Sequence, residues 1–126
     1  MKSDFNNELG HPVYPSSDEG REIGFTSDKF SGYLWNNGDG TIIISLIESH
    51  YEGRGNVKEL LDILSSKFHT IVIPVASARM KYIANKYGFV NKVYTYSDGE
   101  SFPSLVFKSQ NYKLWNTDYI FYLLLS

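Results

Sequence analysis

Thr41-Ile-Ile-Ile-Ser-Leu-Ile-Glu-Ser-His-Tyr-Glu-Gly-Arg-Gly-Asn-Val-Lys-Glu-Leu-Leu-Asp-Ile-Leu64 changes character twice along its length. Thr41 to Ile47 is a run of β-branched and aliphatic residues, too apolar for a surface loop and too short for a typical helix, which predicts a buried strand. Tyr51-Glu52-Gly53-Arg54-Gly55-Asn56 is a short polar turn with two glycines. Beyond it Val57, Leu60, Leu61 and Leu64 recur at helical spacing and predict the apolar stripe of an amphipathic helix. A strand, a glycine turn and a helix in this order have a chemical consequence. The first N–H groups of a helix lack internal partners, and the helix dipole adds partial positive charge there. Glycines let a ligand approach the backbone, so such a turn suits a phosphate or pyrophosphate. The same segment also reads as a plain strand-to-helix connection whose glycines only make the turn.

Working outward, Phe30 to Trp35 predicts a second strand, and Asn36-Asn37-Gly38-Asp39-Gly40 a hairpin turn that pairs it antiparallel with the strand at 41–47. Arg21 to Thr26 reads as a further short strand. Residues 1–20, punctuated by Gly10, Pro12, Pro15 and Gly20, read as an irregular acidic arm; residues 1–30 carry three basic and six acidic side chains against nine and eight in the rest. Downstream, Thr70-Ile-Val-Ile-Pro74 predicts a short apolar strand, joined through a helix to the strand at 41–47 and therefore parallel to it. Ser77 predicts the N-cap of a second helix, with Met80, Ile83, Ala84 and Tyr87 facing inward and Gly88 ending it. Strands are expected at Phe89 to Tyr96 and Pro103 to Lys108, around the turn Ser97-Asp98-Gly99-Glu100. Residues 112–126, ending in Tyr119-Ile-Phe-Tyr-Leu-Leu-Leu125, read as an apolar C-terminal strand or a dimer-contacting tail. The expected fold is α/β in the α+β sense: one domain over 1–126, with a mixed, mostly antiparallel central sheet of six or seven strands and two main helices.

Bulk properties bound the chemistry. The 126 residues suffice for one core, and 42% hydrophobic with 21% charged residues is ordinary for a folded soluble protein. A net charge of −2 argues against nucleic-acid binding by bulk electrostatics. The absence of cysteine excludes a disulfide framework, a thiolate nucleophile and a Cys-ligated zinc site. His11, His50 and His69 show no ligand spacing, so no metal site is expected. The polar start of the chain is no signal peptide and no apolar run reaches membrane-spanning length, which predicts a cytoplasmic protein without membrane contact.

Two signatures stand in order: Leu46-Ile-x-x-x-Tyr51-x-Gly-x-Gly55-x-x-x-x-Leu60-Leu61, and, 16 residues past Leu61, Ser77-Ala-x-Met80-x-x-Ile83-x-x-Lys86-x-Gly88-Phe89. Together they resemble the GNAT superfamily of acyl-coenzyme A-dependent N-acyltransferases across residues 31–96. The resemblance implies a splayed strand pair, here 41–48 and 70–75, with acetyl-CoA or another acyl-CoA in the gap. By position, the backbone of Leu46, Ile47 and Glu48 would bond the pantetheine amides. The N–H groups of Gly53, Arg54, Gly55, Asn56 and Val57 would cradle the pyrophosphate, with Arg54 adding charge. Ser77 falls where the family often has a cofactor-facing asparagine, and Arg79, Lys81 and Lys86 would reach the adenosine phosphates. The chain departs from the family at Glu52, a negative charge beside the expected pyrophosphate that costs a few kcal/mol before screening. It departs at Val57, bulkier than the family's small residue, and at Ala84, where many members carry a general-acid tyrosine. The stretch before the hairpin is too short for the family's N-terminal helices, so the acceptor site that they normally shape is expected to be missing or built from elsewhere, from the C-terminal tail or a second subunit.

Aminolysis of a thioester needs a neutral amine, a base and donors for the developing oxyanion. Glu48 and His50 flank the end of the strand and are the candidate bases. Two functions follow: transfer of an acetyl group from acetyl-CoA to an amine (a small molecule, or a protein lysine or N-terminus), or an eroded GNAT-fold module that binds or inhibits a protein partner. The apolar tail predicts a homodimer, and the short Lys-, Asn- and Tyr-rich chain has the composition of a small phage-encoded protein.

Overall fold

The turn Asn36–Gly40 closes through its own side chains: Asn36 Oδ1 accepts from the Gly38 N–H at 3.0 Å and Asp39 Oδ1 from the Thr41 N–H at 3.1 Å. It joins β2 (Phe30–Asn36) to β3 (Thr41–Ser49) as an antiparallel hairpin. The computed structural model describes residues 10–51 and 53–109. Within them β1 (His11–Val13), β4 (Thr70–Ile73), β5 (Val90–Thr95) and β6 (Ser101–Lys108) complete an open sheet of six strands, in the spatial order β1-β2-β3-β4-β6-β5. Helices α1 (Asp18–Glu22), α2 (Asn56–Lys67) and α3 (Ala78–Tyr87) lie between strands in sequence. Every strand pairing is antiparallel except β3 with β4, which the α2 crossover makes parallel. This is the α+β architecture with a mixed, mostly antiparallel sheet and two main helices that the sequence predicts. Expectations that fall on Glu52, on residues 1–9 or on the C-terminal tail lie outside the described residues.

The N-terminal part departs from the sequence reading. Arg21 to Thr26 is not a strand: α1 occupies Asp18–Glu22, with Ser17 Oγ accepting from the Gly20 N–H at 3.0 Å. Ile23 and Phe25 alternate like strand residues, but both are buried in the core as the chain leaves the helix. Nor is all of the segment before residue 20 irregular. His11–Val13 pairs with β2, Val13 opposite Leu34, as a short edge strand in which Pro12 is tolerated.

The two faces of the sheet are covered differently. Ile42, Ile44, Ile71, Ile73 and Leu105 pack with Leu60, Leu61 and Leu64 of α2 and Ala84 of α3 into the main core. On the opposite face Ile43, Val72 and Val106 are buried beneath Trp35, Tyr94 and Tyr96, all strand-side residues, and no described helix joins this second cluster.

β3 carries the irregularity that shapes the site. Tyr33 faces Leu46, whereas Trp35 faces Ile43, so two residues of β2 span three of β3. This extra residue is a β-bulge, which bends its strand and shifts the alternation of faces. Ile42 and Ile44 point into the main core before the bulge, and Ile47 packs against it afterwards. Leu46, which strict alternation from Ile44 would bury, is instead 66% exposed. Gly32 sits at the bent crossing with φ 100°, and a β-carbon there would lie 1.8 Å from the Leu46 carbonyl oxygen.

Candidate functional site

β3 is long and β4 is short. Their parallel pairing covers only Thr41–Ile43 with Thr70–Val72, and beyond Ile43 no described strand pairs with β3 on that side. The backbone groups of Leu46 to Ser49 therefore line an open edge, and buried backbone groups require partners. Along this edge runs a cavity of about 570 Å³ lined by Gly32, Leu46, Ile47, Glu48 and Ser49 on the strands and by Val57, Ser77, Arg79, Met80 and Ile83 on the helical side.

A second cavity of about 210 Å³ continues from it, with Ser49, Val57, Arg79 and Ile83 common to both. Its remaining walls are Tyr51, Gly53, Gly55, Asn56 and Lys58. The two form one path from the strand edge to the start of α2. Gly55 caps that helix in the left-handed conformation, φ 79°, with no side-chain cap hydrogen bond among the described residues. Gly53 is also left-handed, φ 84°, and β-carbons at both glycines would meet nothing within 4 Å. The two glycines thus serve backbone conformation and leave the approach to the helix N-terminus open. At the junction of the two cavities, the Ser49 hydroxyl oxygen is buried without a hydrogen-bond partner among the described residues.

Of the residues singled out as cofactor-binding, Leu46, Ile47, Glu48, Gly53, Gly55, Asn56, Val57, Ser77 and Arg79 all line this path. Ser77 also caps α3, its Oγ accepting from the Met80 N–H at 3.1 Å. Arg54 does not line either cavity; its guanidinium lies 5.9 Å from the Tyr51 ring centre. The three basic residues of α3 part company: Lys81 lines a separate cavity near Pro74 and Pro103, and Lys86 stands over the Tyr82 ring. Only Arg79 of the three faces the path.

Glu48 lines the larger cavity, whereas His50 stands behind it. His50 Nε2 is 2.6 Å from Ser31 Oγ, and Ser31 is itself a lining residue. Sequence reading missed Ser31, because a lone serine on a strand carries no motif; only the register that sets it opposite Glu48 brings it here. Ser49 was missed for the same reason. The tyrosines of α3 do not serve the cleft: Tyr87 donates to Asp62 Oδ1 at 2.7 Å across to α2, and Tyr82 is exposed. That hydrogen bond, followed by Lys58, holds the Asp62 carboxyl below its ordinary range. Burial foremost raises the Tyr87 hydroxyl. Asp28, beside His50, is lowered chiefly by its hydrogen bond with Thr26.

Among the described residues no group of three His, Cys, Asp or Glu gathers that could hold a metal ion, and no helix is long and apolar enough to cross a membrane. Comparison with protein-family models, curated proteins and solved structures finds no match for the chain.

Proposed function

We propose that this protein is an N-acyltransferase of GNAT type that takes an acetyl group from acetyl-CoA and passes it to an amine. The observation that carries the reading is the parting of β3 and β4 after Ile43 and Val72, with a continuous cleft along the open edge into a glycine turn at a helix N-terminus. An elongated donor with amides at one end and phosphates at the other matches both ends. The strand edge supplies unpaired backbone groups for amides, and the turn supplies N–H groups for phosphate. The chain fits the donor at two further points. The glycines leave space where a β-carbon would stand, and the buried Ser49 hydroxyl lacks a partner among the described residues. Leu46, Ile47 and Glu48 would hold the pantetheine arm, Gly53 to Val57 the pyrophosphate, and Ser77 and Arg79 the α3 side. When bound, the donor supplies an activated thioester. Acetyl-CoA is a cytoplasmic metabolite, consistent with a cysteine-free chain working there.

Calorimetric titration with acetyl-CoA tests the reading, with Gly55→Trp as control. Micromolar affinity that the variant loses is the expected result; no heat at millimolar cofactor sinks it.

A second reading, an eroded GNAT-fold module acting on a protein partner or a second copy of itself, is favoured by one observation. The sheet face carrying Ile43, Val72 and Val106 has no described helix over it and offers Trp35, Tyr94 and Tyr96 to a partner. Light scattering separates its two forms: a homodimer, or a monomer whose partner is another protein.

A further inference from the structure

Ser31 and His50 form a hydrogen-bonded pair at the cleft wall with a defined polarity. His50 Nδ1 lies 3.2 Å from the Asp28 carbonyl oxygen, and Nε2 lies 2.6 Å from Ser31 Oγ. A carbonyl only accepts, so Nδ1 carries the proton of the neutral ring; Nε2 is then the acceptor and Ser31 the donor. The backbone fixes both members. Ser31 is held within β2 in register with Glu48, and the His50 N–H donates to the Lys29 carbonyl at 2.8 Å. A hydroxyl facing a cavity, backed by an imidazole whose far nitrogen is anchored, is the arrangement that moves protons at a reacting centre.

We propose that Ser31 and His50 are a proton relay that deprotonates a primary-amine acceptor at this cleft, an inference that rests on the acyltransferase reading. Ser31 Oγ is the atom that touches the amine; His50 is the base behind it. As the amine nitrogen's electron pair forms the new C–N bond, the C–S bond breaks and sulfur leaves with its pair. The amine's surplus proton passes to Ser31 Oγ while the serine proton passes to His50 Nε2. The exposed imidazolium then releases one proton to water, and the thiolate takes one up. Glu48 lines the same cavity opposite Ser31, where its carboxylate attracts the cationic form of an arriving amine and selects amines over neutral alcohols; the ammonium gives its extra proton to water before the neutral amine attacks.

The relay needs the neutral ring, because a protonated Nε2 cannot accept from Ser31. Among the described residues the charged groups around the pair are Asp28 and Lys29 before β2, Glu48 on β3, Glu59 of α2, which Lys29 reaches at 3.4 Å, and Arg79 of α3, which lines the same cavity as Ser31.

Two measurements test the proposal. Imidazole nitrogen NMR of the free wild-type protein should show His50 protonated on Nδ1, with the Nε2 signal moving in Ser31→Ala. Turnover of acetyl-CoA with butylamine and with a lysine peptide should fall about 100-fold in kcat for Ser31→Ala and His50→Gln. KM for acetyl-CoA should stay within about twofold, since neither side chain belongs to the proposed cofactor contacts. Ser31→Thr, which keeps a hydroxyl, should recover most activity. A proton on Nε2 overturns the relay whatever the cofactor does. Turnover with unchanged kcat in both variants overturns the relay and leaves the acyltransferase reading standing. Acetyl-CoA binding without turnover of either amine overturns the relay and leaves a cofactor-binding protein. Absence of acetyl-CoA binding overturns both.

Discussion

At the scale of single residues, the contact between Tyr87 and Asp62 adds a polar link between the two main helices, which share the apolar core. The phenol donates to the carboxylate at 2.7 Å and also lies 3.4 Å from Ser65 Oγ, joining α3 to α2 outside the core. Tyr87→Phe should cost about 1 kcal/mol, because Asp62 is largely open to solvent and recovers hydration when its partner is lost. The sign of the pH dependence follows from the two shifts. The Asp62 carboxyl is depressed below its ordinary 3.8 by the Tyr87 bond and Lys58, so its contribution is present above that value and lost as pH falls through the folded-state value. The Tyr87 hydroxyl is raised above its ordinary 10.0, chiefly by burial, so its contribution is full below pH 10.0 and lost as pH rises through the folded-state value. Urea unfolding of wild type and variant should therefore show a gap at pH 7 that narrows in acid and again in strong alkali. A gap constant from pH 3 to 11 would refute this account.

At the scale of elements, the bulge in β3 makes the cleft possible, and Gly32 makes the bulge possible. A β-carbon on Gly32 would overlap the Leu46 carbonyl oxygen at 1.8 Å, a backbone atom that cannot swing aside. Gly32→Ala should cost about 3 kcal/mol or more and abolish acetyl-CoA binding, since the only relief is to move β2 away from β3. Gly99→Ala is the control: φ is 92° there as well, but the space is open. It should cost only about 1 kcal/mol, the conformational penalty alone, and leave binding intact. Thermal unfolding and calorimetry of both variants make the comparison; equal losses would mean that the close crossing is not what positions the strand edge. The helix starts divide the labour in the same way. α3 begins with a side-chain cap from Ser77, whereas α2 begins at a glycine that leaves its N–H groups to the cleft.

At the scale of the molecule, the helices occupy one sheet face and the cleft opens at the seam between strand edge and helix starts. A ligand in that seam would bridge β3, α2 and α3. Acetyl-CoA should therefore raise the unfolding midpoint. At 100 times Kd the gain is about 2.7 kcal/mol by mass action alone, readable as a shift of several degrees in a domain of this size. Coenzyme A lacking the acetyl group should give a comparable shift, because the proposed contacts lie along the pantetheine and phosphates. An unchanged midpoint with both ligands at that excess would contradict binding in the seam.

What the sequence by itself determined is whatever depends on local pattern. The apolar run at Thr41–Ile47, the Asn36–Gly40 turn, the stripe Val57-Leu60-Leu61-Leu64 and the Ser77 cap each carry their conformation in neighbouring residues, and each stands where it was expected. The parallel pairing of β3 with β4 followed too, because a helical crossover leaves no other direction. Three features were decided only by tertiary structure. His11–Val13 is a strand because β2 offers an edge, not because its residues demand one. Ile23 and Phe25 alternate like a strand yet are buried at a helix exit, since burial and not period fixes them. The bulge turned Leu46 outward and carried the wall round to Ser49, while strand register set Ser31 beside His50. Ser31 and His50 stand 19 positions apart, and no local spacing in the chain encodes such contacts. They come from register, which many long-range contacts settle together.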